Sequence, residues 1–116
     1  MKNNKQKIRE LAESLQKNPD DTFIKFALAL ELLKKDDVTK AKVLFESVLK
    51  QDPDYLGVYY HLGKLYERLG RFEDAKKLFK DGLKVAEKQE NERTALELKD
   101  ALESLNIEWN DDFTSS

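Results

Sequence analysis

The chain has 116 residues, of which 40% are hydrophobic and 38% charged, with a net charge of −2 and no cysteine. The length suggests one domain, and a charged fraction well above the ordinary value of about 25% indicates helices with solvated faces. The charge balance gives no reason to expect nucleic acid as a partner, and the lack of cysteine excludes a disulfide scaffold and thiol chemistry.

The start of the chain, MKNNKQKIRE, lacks the apolar run of a signal peptide. The most apolar segment, TFIKFALALELL, is shorter than the roughly 20 residues of a bilayer span, and Lys25 and Glu31 interrupt it. We therefore predict no membrane partner, and either a cytoplasmic protein or a fragment of a longer protein whose targeting segment lies elsewhere. The amino end is basic and the carboxyl end acidic. Two solvated ends are the simpler interpretation, and head-to-tail attraction within or between chains is the alternative.

Apolar residues recur at helical spacing along most of the chain. In chain order, the pattern predicts a helix at residues 5–17, helix pairs at residues 22–53 and 54–89, and a helix at residues 91–105. The predicted fold is an all-α helical stack in a single domain, residues 1–106. An acidic, aromatic tail at residues 107–116 is predicted to be irregular.

The chain repeats itself at a spacing of 34 residues without a gap. Pairs at this spacing include Pro19-Asp20 with Pro53-Asp54, Ala41-Lys42 with Ala75-Lys76, and Leu44-Phe45 with Leu78-Phe79. Gly70 marks a helix end because glycine accepts the left-handed conformation, and Asp36 occupies the same place in the first unit.

A helix–turn–helix unit of 34 residues with these motifs resembles the tetratricopeptide repeat. The motif residues are Leu28-Ala29 with Leu32, Leu62-Gly63 with Tyr66, Ala41 with Phe45, Ala75 with Phe79, and Pro53. Lys25 departs from the pattern, since an aromatic residue is frequent there, whereas Tyr59 fits it. The helices at 5–17 and 91–105 resemble a degenerate preceding half-unit and a capping helix.

The resemblance implies a stack of antiparallel helix pairs whose first helices line a groove that binds peptide segments of other proteins. The implied groove residues are Phe23, Phe26, Leu30, Leu33, Tyr60, His61, Lys64 and Arg68. One half of this groove is apolar and the other polar. Heat-shock chaperone receptors of the family hold a terminal carboxylate with Lys and Asn. Phe26 and Leu30 stand at the corresponding places here, so the resemblance does not imply that clamp.

Four occupants could cover the apolar half of the groove. They are the flanking helices, a partner peptide or amphipathic helix, a second copy of the chain in a homo-oligomer, and the chain's own tail. The tail residues that would make such contacts are Ile107, Trp109 and Phe113. The sequence leaves these alternatives open.

The sequence contains no arrangement that supports catalysis. His61 is the only histidine, and one histidine without cysteine cannot form an ordinary zinc site. No glycine-rich phosphate loop is present. The paired acids Asp20-Asp21 and Asp36-Asp37 are predicted to cap helices. We therefore predict a non-catalytic interaction module without metal or cofactor. Its partner is another protein or, alternatively, another copy of itself.

Overall fold

A computed structural model describes the backbone of residues 2–114 and the side chains of residues 2–106. The described residues form six α-helices and no strand, which confirms the predicted all-α class. The helices are α1 (Asn4–Lys17), α2 (Thr22–Lys34), α3 (Val38–Gln51), α4 (Leu56–Arg68), α5 (Phe72–Lys88) and α6 (Glu92–Thr114). Among them, none has an apolar stretch long enough to cross a bilayer.

The contacts within the chain divide it into two compact units. Unit 1 ends at Tyr55 and contains α1, α2 and α3, whereas unit 2 begins at Leu56 and contains α4, α5 and α6. In unit 1, α2 packs against both α1 and α3, and in unit 2, α5 packs against both α4 and α6. A helix in a repeat protein contacts mainly its neighbours, so contacts define units smaller than the predicted domain.

Side chains at the helix starts explain where several helices begin. Asn3 and Gln6 form a reciprocal capping box at the start of α1. Asp21 accepts a hydrogen bond from the backbone N–H of Ile24 at 2.9 Å and caps α2. Asp37 accepts one from the N–H of Lys40 at 3.3 Å and caps α3. The prediction that the paired acids cap helices is therefore confirmed for Asp21 and Asp37.

The turn inside each helix pair uses one residue with positive φ. Gly70 has φ 78° between α4 and α5, and Asp36 has φ 65° between α2 and α3. Glycine adopts this conformation freely, whereas aspartate pays a steric cost that its short side chain keeps small. Both helix ends are where the sequence predicted them.

The cores of the two units are built from the same positions of the repeat. Ala41 and Phe45 of α3, and Ala75 and Phe79 of α5, are fully buried. A Cβ atom added at Gly63 of α4 would collide with the ring of Phe79. The sequence motif of a small residue in the first helix thus permits close approach to the aromatic residue of the second.

The structure differs from the prediction at its C-terminal end. The predicted capping helix ended at residue 105, but α6 continues to Thr114. Residues 92–114 contain neither glycine nor proline, so nothing in this segment interrupts helix propagation. The predicted irregular tail is therefore helical in its backbone up to Thr114. The side chains of Ile107, Trp109 and Phe113, predicted as tail contacts, lie outside the described residues.

Candidate functional site

The apolar half of the predicted groove lies on α2 of unit 1. Phe23 is 67% exposed, which makes it the most exposed large hydrophobic residue among the described side chains. Phe26, Leu30 and Leu33 are half-buried. Since α2 has capped ends and packs on both of its neighbours, it holds this stripe on a rigid element. The stripe is therefore partly covered within the chain, and its amino-terminal end is open.

Phe26 takes part in an aromatic cluster. Its ring centroid lies 5.8 Å from that of Phe45 and 5.1 Å from that of Tyr55, with tilted planes. Burial raises the pKa of the Tyr55 hydroxyl, and the nearby carboxylates of Asp21 and Asp52 add to this shift. Phe26 therefore contributes to the packing inside unit 1. Phe23 is the aromatic side chain of unit 1 that is exposed to solvent.

The opposite side of α2, which carries the motif residues of the repeat, is core. Leu28, Ala29 and Leu32 are all buried. Lys25, which departs from the repeat pattern, keeps its ammonium group in hydrogen bonds to the Ser47 hydroxyl at 3.0 Å and the Gln51 side-chain oxygen at 2.8 Å. A polar bridge between α2 and α3 thus replaces the aromatic contact typical of this position.

The polar half of the predicted groove lies on α4 of unit 2, where it borders a cleft. This cleft has a volume of about 210 Å³. It is lined by two residues of α4 and four of α6: Tyr60, Lys64, Glu97, Asp100, Ala101 and Ser104. The Lys64 ammonium group also pairs with the Glu67 carboxylate at 3.2 Å. The structure therefore places charges of both signs around one aromatic ring.

His61 stands beside this cleft and packs edge-on against Tyr60, with ring centroids 5.5 Å apart. Burial lowers the pKa of the His61 imidazole, and the negative charge of Glu97 partly opposes this effect. The neutral form is thereby favoured at neutral pH, so His61 offers one donor and one acceptor rather than a charge. Arg68, the remaining predicted residue, is exposed at the end of α4.

The contribution of α6 was missing from the sequence-based site. Glu97, Asp100 and Ser104 face the cleft because they lie three and four residues apart along one helix. That spacing was visible in the sequence, but the resemblance drew attention to the first helix of each repeat alone. Among the described residues, no group of three or more potential ligands is placed to hold a metal ion.

Comparison with known proteins identifies the family. A family model described as the tetratricopeptide repeat matches residues 32–97, more than half of the chain. The chain therefore belongs to the tetratricopeptide repeat family. A TPR repeat-containing protein of Methanocaldococcus jannaschii is 35% identical over 78 residues, which cover 67% of this chain and 24% of that protein. The chain thus spans about a quarter of the length of this relative.

Solved structures agree with this assignment. A tetratricopeptide repeat domain protein from Salinibacter ruber is 45% identical, with a TM-score of 0.72, covering 74% of this chain and 97% of that chain. The TPR2B domain of yeast Sti1, in its complex with pHsp70, is 14% identical with a TM-score of 0.80, covering 87% of this chain and 81% of that chain. This second likeness shows the fold alone. Domains of this family commonly mediate protein–protein interaction and are generally non-catalytic.

Proposed function

We propose that this chain binds segments of partner proteins through two surfaces, the exposed face of α2 in unit 1 and the cleft between α4 and α6 in unit 2. The observation that carries the proposal is the 67% exposure of Phe23 on the first helix of a repeat. Full burial of such a side chain contributes about 1.5–3 kcal/mol, which a partner would gain. The location in the cytoplasm remains a prediction.

Unit 1 would supply the apolar contact of this interaction. Phe23 is the proposed anchor, and Leu30 and Leu33 extend the apolar surface along α2. Phe26 takes a supporting role because its ring already packs on Phe45 and Tyr55. An apolar stripe at these spacings suits an extended segment with large hydrophobic side chains or one face of an amphipathic helix.

Unit 2 would supply polar contacts to a bound segment. Lys64 can donate to a backbone carbonyl or carboxylate, and Glu97 and Asp100 can accept from amide or ammonium groups. Tyr60 offers an aromatic surface between these charges, with His61 beside it. The polar groups of unit 2 are thus suited to recognising the direction of a peptide, and the apolar face of α2 in unit 1 is suited to binding large hydrophobic side chains.

The proposal is tested by selecting binders from a phage-displayed library of random peptides and measuring their affinity by fluorescence polarisation. Phe23→Ser should weaken binding about tenfold or more, because one buried aromatic contact is lost. Lys64→Ser should weaken binding by a smaller factor. Neither substitution should change the thermal midpoint by more than a few degrees, since both side chains are exposed.

Leu69→Ser is the matched control. Leu69 is another exposed large hydrophobic residue, but it follows the end of α4 and is not part of the proposed site. Its removal should leave the affinity unchanged. Selected peptides that bind equally well to the wild type, Phe23→Ser and Lys64→Ser would refute the proposal.

A further inference from the structure

The outer surface of unit 1 carries a hydrophobic residue where unit 2 carries a charge. Val43 of α3 is 57% exposed. Its counterpart one repeat later is Lys77 of α5, which is exposed and pairs with Asp81 at 2.8 Å. The same position of the repeat is thus adapted to water in unit 2 and not in unit 1. A single exposed hydrophobic residue is common, so Val43 is informative only if it belongs to a larger apolar surface.

Val43 belongs to an apolar cleft within unit 1. The cleft has a volume of about 400 Å³ and lies among all three helices of the unit. Its apolar walls are Ile8, Ala12, Leu28, Leu32, Val43 and Leu44. Phe23 and the rest of the proposed peptide site are absent from these walls. The cleft is therefore a separate surface of unit 1.

The border of this cleft is basic. Lys40 lines it directly, and its ammonium group lies 3.8 Å from the carboxylate of Asp37. Lys5 and Arg9 are exposed on α1 and lie three residues before Ile8 and Ala12, which makes them neighbours of the cleft on the helix surface. An occupant that presents apolar side chains among carboxylates would therefore fit it best.

Unit 2 presents a surface of that kind. Leu96 of α6 is 61% exposed and points away from the buried Leu98 and Leu105. It borders a second cleft, of about 610 Å³, at the junction of α5 and α6. The charged residues of this cleft are Glu87, Glu90, Glu92 and Lys99, so carboxylates outnumber ammonium groups by three to one.

We propose that the chain associates with itself head to tail, with the Leu96 surface of one copy docked in the Val43 cleft of the next. The exposed leucine enters the apolar cleft, and Glu87, Glu90 and Glu92 approach Lys5, Arg9 and Lys40 of the partner copy. This inference goes beyond the proposed peptide site and does not depend on it, since it uses different residues.

The two surfaces that meet are different, so the interface is heterologous. Each added copy leaves one cleft and one Leu96 surface available, so assemblies grow as open chains unless the geometry closes a ring. The carboxylates of one surface attract the basic groups of the other. Salt weakens this attraction, because the Debye length is about 8–10 Å at ionic strengths of about 0.1–0.15 M. The average mass should therefore rise with protein concentration and fall when salt is added.

Light scattering over a concentration series tests this proposal on the full chain. The wild type should show a mass that rises with concentration. Val43→Lys, which installs the residue that unit 2 carries at the same position, should stay monomeric, as should Leu96→Glu. Lys40→Glu leaves the apolar walls intact and should weaken association by about threefold to fivefold. Circular dichroism should remain that of the wild type in all three variants.

Mixing the two monomeric variants gives the decisive result. The Val43→Lys chain keeps an intact Leu96 surface, and the Leu96→Glu chain keeps an intact cleft, so the mixture should form a one-to-one dimer. Leu69→Lys is the control and should associate like the wild type. A wild type that stays monomeric at every concentration, or a mixture that remains monomeric, would overturn the proposal. Peptide binding should be unaffected in Val43→Lys, so the two proposals fail independently.

Discussion

The two units of this chain share several buried positions of one repeat but differ at others. Phe45 and Phe79 are both fully buried. Phe26 packs on Phe45 with ring centroids 5.8 Å apart, and its counterpart Tyr60 packs on Phe79 at 6.5 Å. At these positions the sequence varies little because the packing of each helix pair leaves few alternatives.

The first helices differ wherever the side chain leaves the core. Leu65 of α4 is buried, whereas its counterpart Glu31 of α2 accepts a hydrogen bond from the Asn4 side chain at 2.7 Å. Burial alone would raise the pKa of the Glu31 carboxyl, but hydrogen bonds from Asn4 and Lys34 and the charges of Lys34 and Lys7 outweigh it and lower the pKa. In unit 1, α1 thus supplies polar contacts to Glu31 of α2.

The repeat motif thus determines the residues at the shared core positions of both units. The two units differ in the residues at their exposed positions. Phe23, Leu30 and Val43 of unit 1 correspond to Gly57, Lys64 and Lys77 of unit 2. A solvated surface would not need the apolar set, so unit 1 is the half in which we place the strongest contacts with partners.

The largest loss of stability should come from a substitution that creates a cavity in either core. Phe45→Ala and Phe79→Ala should each lower the free energy of unfolding by about 3–5 kcal/mol, because a large cavity replaces a fully buried ring. Chemical denaturation measures this. Equal costs would support two equivalent cores. A change below about 1 kcal/mol in either variant would contradict the shared packing.

A smaller loss of stability is expected at Gly63, where α4 and α5 of unit 2 approach each other closely. Gly63→Ala should lower the free energy of unfolding by about 1–3 kcal/mol, because the added methyl group collides with the buried ring of Phe79. Its counterpart Ala29 already carries a Cβ in a buried position. Chemical denaturation of Gly63→Ala and the wild type measures this difference. If Gly63→Ala proved more stable than the wild type, the described contact between α4 and α5 would be wrong.

The smallest effect concerns pH and is confined to unit 2, since the counterpart of His61 is Ala27. Burial holds the pKa of His61 below its ordinary value of about 6.5, so the unfolded chain binds the proton more readily. The stability due to neutral His61 is complete above about pH 6.5 and declines below it, until the pH falls below the lowered pKa.

His61→Ala copies the residue of unit 1 and provides the test. Denaturation midpoints between about pH 7.5 and about pH 5.5 should fall less steeply in the variant than in the wild type. An identical pH dependence in both chains would show that His61 does not contribute to it.

The sequence predicted most of the fold because the same helix-pair pattern occurs twice in it. The 34-residue spacing placed the helix pairs, and Gly70 and Asp36 marked their turns. It did not predict that α6 continues to Thr114, because the change from a regular apolar stripe to Asn106 resembled a helix end. A pattern of apolar spacing reports burial, and a helix can continue without such a pattern.

The site was harder to predict because it depends on contacts between helices. The sequence placed the apolar stripe on one helix, but it could not reveal that Phe26 packs on Tyr55 whereas Phe23 is exposed. The acids of α6 beside Tyr60 likewise come together only through the packing of α4 and α6. The spacing of residues within one helix does not show which residues of other helices they contact.

The most direct test of the central claim, that partners bind at the α2 face and the α4–α6 cleft, is an NMR titration. A library-selected peptide would be added to the isotope-labelled full chain, and backbone amide shifts followed. We expect the largest changes around Phe23 and Leu30 on α2 and around Lys64, Glu97 and Asp100 on α4 and α6. Changes confined to the outward faces of α3 and α5, with those residues unperturbed, would contradict the account.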